Sequence, residues 1–276
     1  MPELPEVEVV KNGLEKAFKK SAVIKRIEFL RANLRSKIPK SEFLQFIDKK
    51  IDQVYRRAKY LVFLLGDSGF VSSLGMTGTW RFESADEISN SERRVHDHIR
   101  IHFYDARVLT YNDPRRFGSF QTLKKSQSVL QALGPEPLTF DFNTLYLKDK
   151  IKNSKAPIKN IIMNQKIVVG VGNIYASESL FLAGIHPRKS GGRLTLHQIQ
   201  SLVESIKNVL SKAISMGGST IGDYFSLEGL RGNFQSEHFV YGQEGLPCRK
   251  CQSKIKMLRL AGRSTFWCPT CQKYLG

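Results

Sequence analysis

Two cysteine pairs, Cys248-x-x-Cys251 and Cys268-x-x-Cys271, hold all four cysteines of the 276-residue chain, with residues 252 to 267 between them. The spacing matches a four-thiolate zinc site, in which each pair occupies one tight turn and a hairpin closes the tetrahedron. Two disulfides or four buried thiols are the alternative. Nothing at the N-terminus resembles a secretory signal, which speaks against disulfides. A closed four-thiolate site supplies folding energy rather than chemistry, so the reactive groups are sought elsewhere.

Met1 precedes a small residue, and its removal would leave Pro2 as a free secondary amine. An α-amino group has a pKa of about 7.7–8, against about 10.4 for lysine, so a useful fraction is neutral and nucleophilic at pH 7. Attack on a sugar C1′ would give an iminium ion, as a lysine Schiff base does. Glu3, directly adjacent, is placed to move protons. Many chains begin Met-Pro-Glu without such chemistry, and these residues alone do not decide.

Three loops carry further candidates. Val168 to Ala176 contains Gly170 and Gly172 and runs into a helix, where exposed N–H groups suit a phosphate. A helix-packing turn is the simpler reading of Gly-x-Gly alone. Here the loop follows Lys155, Lys159 and Lys166, and Asn173 stands ready to cap the helix or bind phosphate. Asn112-Asp113-Pro114-Arg115-Arg116-Phe117-Gly118 sets two arginines and an aromatic on a turn, as core or as a wedge between stacked bases. Met76, within Gly75-Met76-Thr77-Gly78, is either gap-filling or a second wedge residue. His96 and His98 read as strand-edge residues or phosphate contacts, because no third metal ligand accompanies them.

The elements that must position these groups follow from periodicity. Val7, Val10, Leu14 and Phe18 predict an opening helix from about Pro5. Ala22–Phe29, Tyr60–Leu65, Phe70–Leu74, Ile99–Phe103 and Val108–Tyr111 read as strands, with Asp105-Ala106-Arg107 as a hairpin turn. Ser41 starts a short helix carrying Phe43, Leu44 and Ile47. Leu133-Gly134-Pro135-Glu136-Pro137 is a linker. Beyond it, Thr195 caps a long helix with Ile199, Val203, Ile206, Leu210 and Ile214 on one face, stopped by Gly217-Gly218. The expected fold is α+β. Residues 1–132 form a β-sandwich or barrel with flanking helices, 133–142 a linker, 143–226 a helical domain, and 227–276 a zinc hairpin.

Charge points to the partner. Lys and Arg total 43 against 25 Asp and Glu, giving a net charge of +18. An imbalance of this size favours a polyanion, nucleic acid ahead of anionic membrane. No run approaches the ~18 apolar residues of a membrane span. A monomer in a reducing cytoplasm is expected.

These pieces, in this order, resemble the formamidopyrimidine-DNA glycosylases, bacterial base-excision enzymes that remove oxidised purines. The motifs that carry the resemblance are Pro2 to Glu8, Arg57-Ala58-Lys59-Tyr60, Leu74 to Gly78, Asp113 to Gly118, Leu133 to Pro137, Val168 to Pro187, and the cysteine hairpin with Arg263-Ser264-Thr265-Phe266. They span residues 2 to 273. The resemblance implies a helix-two-turn-helix fold for the helical domain and one structural zinc on Cys248, Cys251, Cys268 and Cys271. It implies Pro2 as the nucleophile, Glu3 as general acid/base supported by Glu6, and Lys59 as an aid to proton transfer. It also implies a wedge of Met76, Arg115 and Phe117, with Arg115 pairing the orphaned cytosine. His96, Lys159, Asn173, Tyr241 and Arg263 match positions that grip kinked phosphate backbone. Thr220, Ile221, Gly222, Asp223 and Tyr224 fall in the loop over the flipped base. The implied activity is excision of 8-oxoguanine and formamidopyrimidines from duplex DNA, then β,δ-elimination at the abasic site. Ser73 departs from the pattern: the family commonly has a phosphate-touching histidine there, so one contact fewer is expected. A pyrimidine-lesion sister enzyme and a non-catalytic damage-binding protein are the alternatives. Leu4 and the wedge argue against the first, the intact Pro2-Glu3 against the second.

Overall fold

The computed structural model describes residues 2–19, 22–90, 94–219 and 232–274. Thr220, Ile221, Gly222, Asp223 and Tyr224, expected to form the loop over the flipped base, lie outside the described residues. The chain falls into two compact units, one of residues 1–131 with 217–233, the other of 132–216 with 234–276.

The first unit opens with α1 (Leu4–Phe18), β1 (Ile24–Phe29), α2 (Lys40–Phe43), β2 (Gln53–Arg57), β3 (Tyr60–Leu65) and β4 (Ser68–Ser73). It continues through β5 (Thr79–Ser84), α3 (Ala85–Asn90), β6 (Asp97–Phe103), β7 (Arg107–Asn112), β8 (Ser119–Thr122) and α4 (Leu123–Gln131). Two antiparallel sheets result, in the orders β1-β6-β7-β5 and β2-β3-β4-β8. Their inner faces share one core. Ile24, Ile99, Ile101, Leu109 and Trp80 of one sheet cluster with Val54, Leu61, Phe63, Phe70 and Phe120 of the other. Strict alternation of Ile99, Ile101 and Phe103 with Arg100 and His102 in β6 contributes to this inward row, because successive strand side chains point to opposite faces. Aromatic rings lock the interior, with Phe63 stacked on Phe70 at 4.3 Å and Tyr111 edge-on to Phe120 at 4.8 Å. Val7, Val10 and Leu14 of α1 are fully buried in the same cluster, as their spacing predicts.

The second unit contains α5 (Thr144–Ile151), α6 (Ile158–Ile162), α7 (Asn173–Leu182), α8 (Leu196–Ser215) and the hairpin of β9 (Lys256–Leu260) with β10 (Arg263–Trp267). Thr195 caps α8 through a reciprocal box: its hydroxyl accepts Gln198 N–H, and Gln198 Oε1 accepts Thr195 N–H, both at 3.2 Å. Helix α7 is buried nearly all round, from Ile174 to Phe181. No helix among the described residues is long and apolar enough to cross a membrane.

Candidate functional site

Pro2 is buried, and Glu3 behind it is the N-cap of α1 with 3% of its surface exposed. Glu3 and Glu6 form a capping box, the Glu3 carboxylate accepting the Glu6 N–H. In return, Glu6 Oε2 accepts the Glu3 N–H at 2.8 Å. Glu6 Oε1 accepts the Ser219 N–H at 2.8 Å, so this carboxylate ties the start of α1 to residue 219. The neighbouring Gly218 has φ +80°, and a Cβ there would lie 2.9 Å from Glu6 Oε1. Only glycine fits that approach without strain. Two carboxylates are thereby concentrated beside Pro2 at the start of α1.

Lys59 is half-buried in the β2–β3 turn, directly after Ala58, whose φ is 55°. Arg56 holds the turn against α1, pairing with Glu8 at 2.5 Å and donating to Ala58 O at 3.0 Å.

Met76 and Phe117 project from neighbouring loops with 37% and 40% exposure. The Arg115 guanidinium lies over the Phe117 ring at 5.2 Å. The loops meet at backbone distance, since a Cβ on Gly75 would fall 2.3 Å from the Phe117 carbonyl carbon. His96 is exposed at the entry to β6. His98 is not the strand-edge residue expected. It is 1% exposed, and its Nε2 lies 2.8 Å from Asp113 O, bracing the turn. Ser73 Oγ accepts the Gly75 N–H at 3.3 Å, so the serine supports the Met76 loop.

In the second unit Gly172, not Asn173, is the N-cap of α7. Asn173 is the first helical residue, and its amide donates to Ser264 O at 3.0 Å. Lys159 is 1% exposed; its ammonium donates to Asn173 Oδ1 at 2.7 Å and Thr265 Oγ1 at 2.8 Å. The three residues join α6, α7 and β10 into one cluster. Gln165 shapes the preceding loop, accepting the Gly170 N–H at 2.8 Å and donating to Val171 O at 3.2 Å. Arg263 is exposed beside the hairpin turn, where Ala261 and Gly262 have φ of 48° and 75°. Tyr241 is half-buried, edge-on to Phe266 at 5.2 Å.

Sequence reasoning passed over Glu178. It is 1% exposed on α7, and its carboxylate accepts the N–H groups of Phe239, Val240 and Tyr241 at 2.8, 3.0 and 2.8 Å. Burial pushes its carboxyl above the ordinary range, while the three amides oppose that shift. A glutamate among Ile174, Tyr175, Ala176, Leu180 and Phe181 was the available signal.

None of the four cysteines forms a disulfide. Their sulfurs lie within 4.8 Å of one another, with 3.4 Å between Cys251 and Cys268 and 3.9 Å between Cys248 and Cys271. Tetrahedral zinc with ligands at about 2.3 Å requires sulfur–sulfur edges of about 3.8 Å. The donor set therefore fits. Backbone N–H groups of Lys250 and Cys271 point at the sulfurs of Cys248 and Cys268, each at 3.4 Å, as expected around thiolates. Fully buried Gln272 secures the second pair, accepting the Cys268 N–H and donating to Ile185 O, both at 2.9 Å.

Comparison with known proteins accounts for nearly the whole chain. Residues 1–120 match the formamidopyrimidine-DNA glycosylase N-terminal domain, 133–224 the H2TH domain of the same glycosylases, and 245–273 a zinc finger found in FPG and IleRS. The formamidopyrimidine-DNA glycosylase of Bdellovibrio bacteriovorus is 43% identical over 275 residues, covering 99% of this chain and 100% of its own. That of Rickettsia bellii is 43% identical over 277 residues, covering 99% and 100%. A Lactococcus lactis FPG variant in complex with Fapy-dG-containing DNA superposes with a TM-score of 0.89 at 35% identity, covering 99% of this chain and 100% of that one. MutM bound to carbocyclic 8-oxo-G DNA gives 0.88 at 35% identity, with the same coverage.

Proposed function

Because the chain belongs to the formamidopyrimidine-DNA glycosylase family, we propose that it excises 8-oxoguanine and formamidopyrimidines from duplex DNA and then cleaves the abasic site. The observation that carries this reading is the buried Pro2-Glu3 pair at the start of α1, with Glu6 bonded to both Glu3 and Ser219.

A base stacked in a duplex shields C1′, so the damaged nucleotide is first everted. Met76, Arg115 and Phe117 fill the vacated space and replace part of the lost stacking. The Pro2 nitrogen, freed by removal of Met1, attacks C1′, and the bond to the base breaks with its electrons leaving on the base. Opening of the sugar ring leaves an iminium ion between Pro2 and C1′. The iminium acidifies C2′, whose proton passes to a base, and the 3′ C–O bond breaks. A second elimination breaks the 5′ C–O bond and leaves a one-nucleotide gap. Glu3 relays the protons, assisted by Lys59, while Glu6 holds Glu3 in place. His96, Lys159, Asn173, Tyr241 and Arg263 serve the grip on phosphate, which offsets the few kcal/mol spent on eversion. Lys159 does so through Asn173 rather than by direct contact. Cys248, Cys251, Cys268 and Cys271 hold one structural zinc ion, which would stiffen the hairpin bearing Arg263. The enzyme acts as a monomer, in the cytoplasm, on the nucleoid.

Borohydride trapping on a duplex with 8-oxoguanine opposite cytosine tests the reading. A covalent adduct that disappears when an N-terminal extension turns the Pro2 amine into an amide is the expected result. An extended protein that still forms the adduct removes Pro2 from the mechanism.

A further inference from the structure

The loops that carry Met76, Arg115 and Phe117 are joined through a buried carboxylate. Asp113 has no exposed surface. Its Oδ1 accepts the Thr77 hydroxyl at 2.6 Å; its Oδ2 accepts the Gly118 N–H at 2.8 Å and the Tyr111 hydroxyl at 3.4 Å. With its proton committed to Asp113, Thr77 Oγ1 accepts the Arg115 N–H at 3.1 Å. The segment from 113 to 118 is thus fixed at Arg115 and at Gly118. Arg116 between them is held at φ 60°, a conformation most residues avoid.

We infer that Thr77 is a specificity-positioning residue: its hydroxyl, oriented by Asp113, sets the Arg115 backbone and so determines how strictly the base opposite the lesion is read. The inference rests on the proposed reading of Arg115. Cytosine presents two adjacent acceptors, O2 and N3, which match two N–H groups of a guanidinium. Adenine sets a donor, N6, beside its acceptor N1, and cannot satisfy the same pair. A bidentate match is sensitive to displacement, whereas filling space with Phe117 and Met76 is tolerant. Freeing the Arg115 backbone therefore lowers discrimination between cytosine and adenine more than it lowers the rate opposite cytosine.

The test is single-turnover excision of 8-oxoguanine opposite cytosine and opposite adenine, normalised to titrated active sites. The variants are Thr77→Val, Thr77→Ala, Thr77→Ser and Arg115→Ala. The cytosine-over-adenine ratio should fall about tenfold in Thr77→Val, the scale of one weakened bidentate contact, and stay near wild type in Thr77→Ser. Thr77→Ala carries the same expectation should the valine variant not fold. A wild-type ratio in Thr77→Val or Thr77→Ala, or an equal loss in Thr77→Ser, overturns the inference. If Arg115→Ala also keeps the ratio, the reading of Arg115 has failed too; if it abolishes the ratio, only the role of Thr77 has.

Discussion

The Lys159 ammonium sits 2.7 Å from Asn173 Oδ1 with 1% of the residue exposed, so a lysine in a strongly basic protein is turned inward. It donates to three neutral acceptors, Asn173 Oδ1, Thr265 Oγ1 and Ser264 O. Such a charge organises its neighbours rather than meeting bulk solvent.

Lys159→Met should therefore weaken DNA binding without lowering the salt slope by a full unit, as loss of a direct phosphate contact would. Arg263→Ala, at an exposed position, should lower it by about one. Equilibrium binding over a salt series distinguishes the two. An equal drop in slope for both would place Lys159 directly on phosphate.

Gly218→Ala meets two obstacles, a φ of +80° and a Cβ 2.9 Å from Glu6 Oε1. The expected cost is about 1–3 kcal/mol of stability, with slower excision because the capping arrangement is disturbed. Glu6→Gln, which retains only one acceptor oxygen for two N–H donors, should slow adduct formation by about 10- to 100-fold with a smaller loss of DNA affinity. Thermal melts beside single-turnover trapping check both variants.

Metal analysis should find one zinc per chain. Chelation should release it and abolish tight DNA binding, because Cys248 and Cys268 also lie in the small apolar cluster with Phe181, Val240 and Ile255. Binding that survives complete zinc release would contradict this.

Stability should fall on acidification below about pH 6.5. Burial lowers the pKa of His98, His102, His186 and His238 below 6.5, that of His238 to about 4. Because the unfolded chain takes up these protons first, the contribution is present above pH 6.5 and disappears as pH falls toward the folded values. His238 alone accounts for at most about 3 kcal/mol. Melting temperatures of the wild type and His238→Gln at pH 7 and pH 5 read this out. The variant should lose less on acidification.

The sequence was most legible where one local rule governs one element. Alternating β6, the Thr195 cap of α8 and the cysteine knuckles emerged as their residue types require. Strands β2 and β5 are hidden because charged Arg56, Arg57, Arg81 and Glu83 obscure their alternation, and β8 because it is only four residues long. The supports of the candidate site were harder still. The bond between Thr77 and Asp113 spans 36 residues, beyond the reach of any local pattern. Glu178 bonds to amides more than 60 residues away. The run Lys155, Lys159 and Lys166 and the family resemblance point to Lys159 as a phosphate contact; its burial against Asn173 and Thr265 is encoded by no local pattern.

The bond between Glu6 and Ser219 joins residues 213 positions apart. A ribosome adding about 5–20 residues per second reaches Ser219 roughly 10 to 40 s after Glu6. Throughout that interval the nascent chain has Glu3 and Glu6 but lacks the Ser219 amide that binds the second oxygen of Glu6. The hydrogen bonding at the start of α1 is thereby completed only after α8 and the Gly217-Gly218 turn have been made.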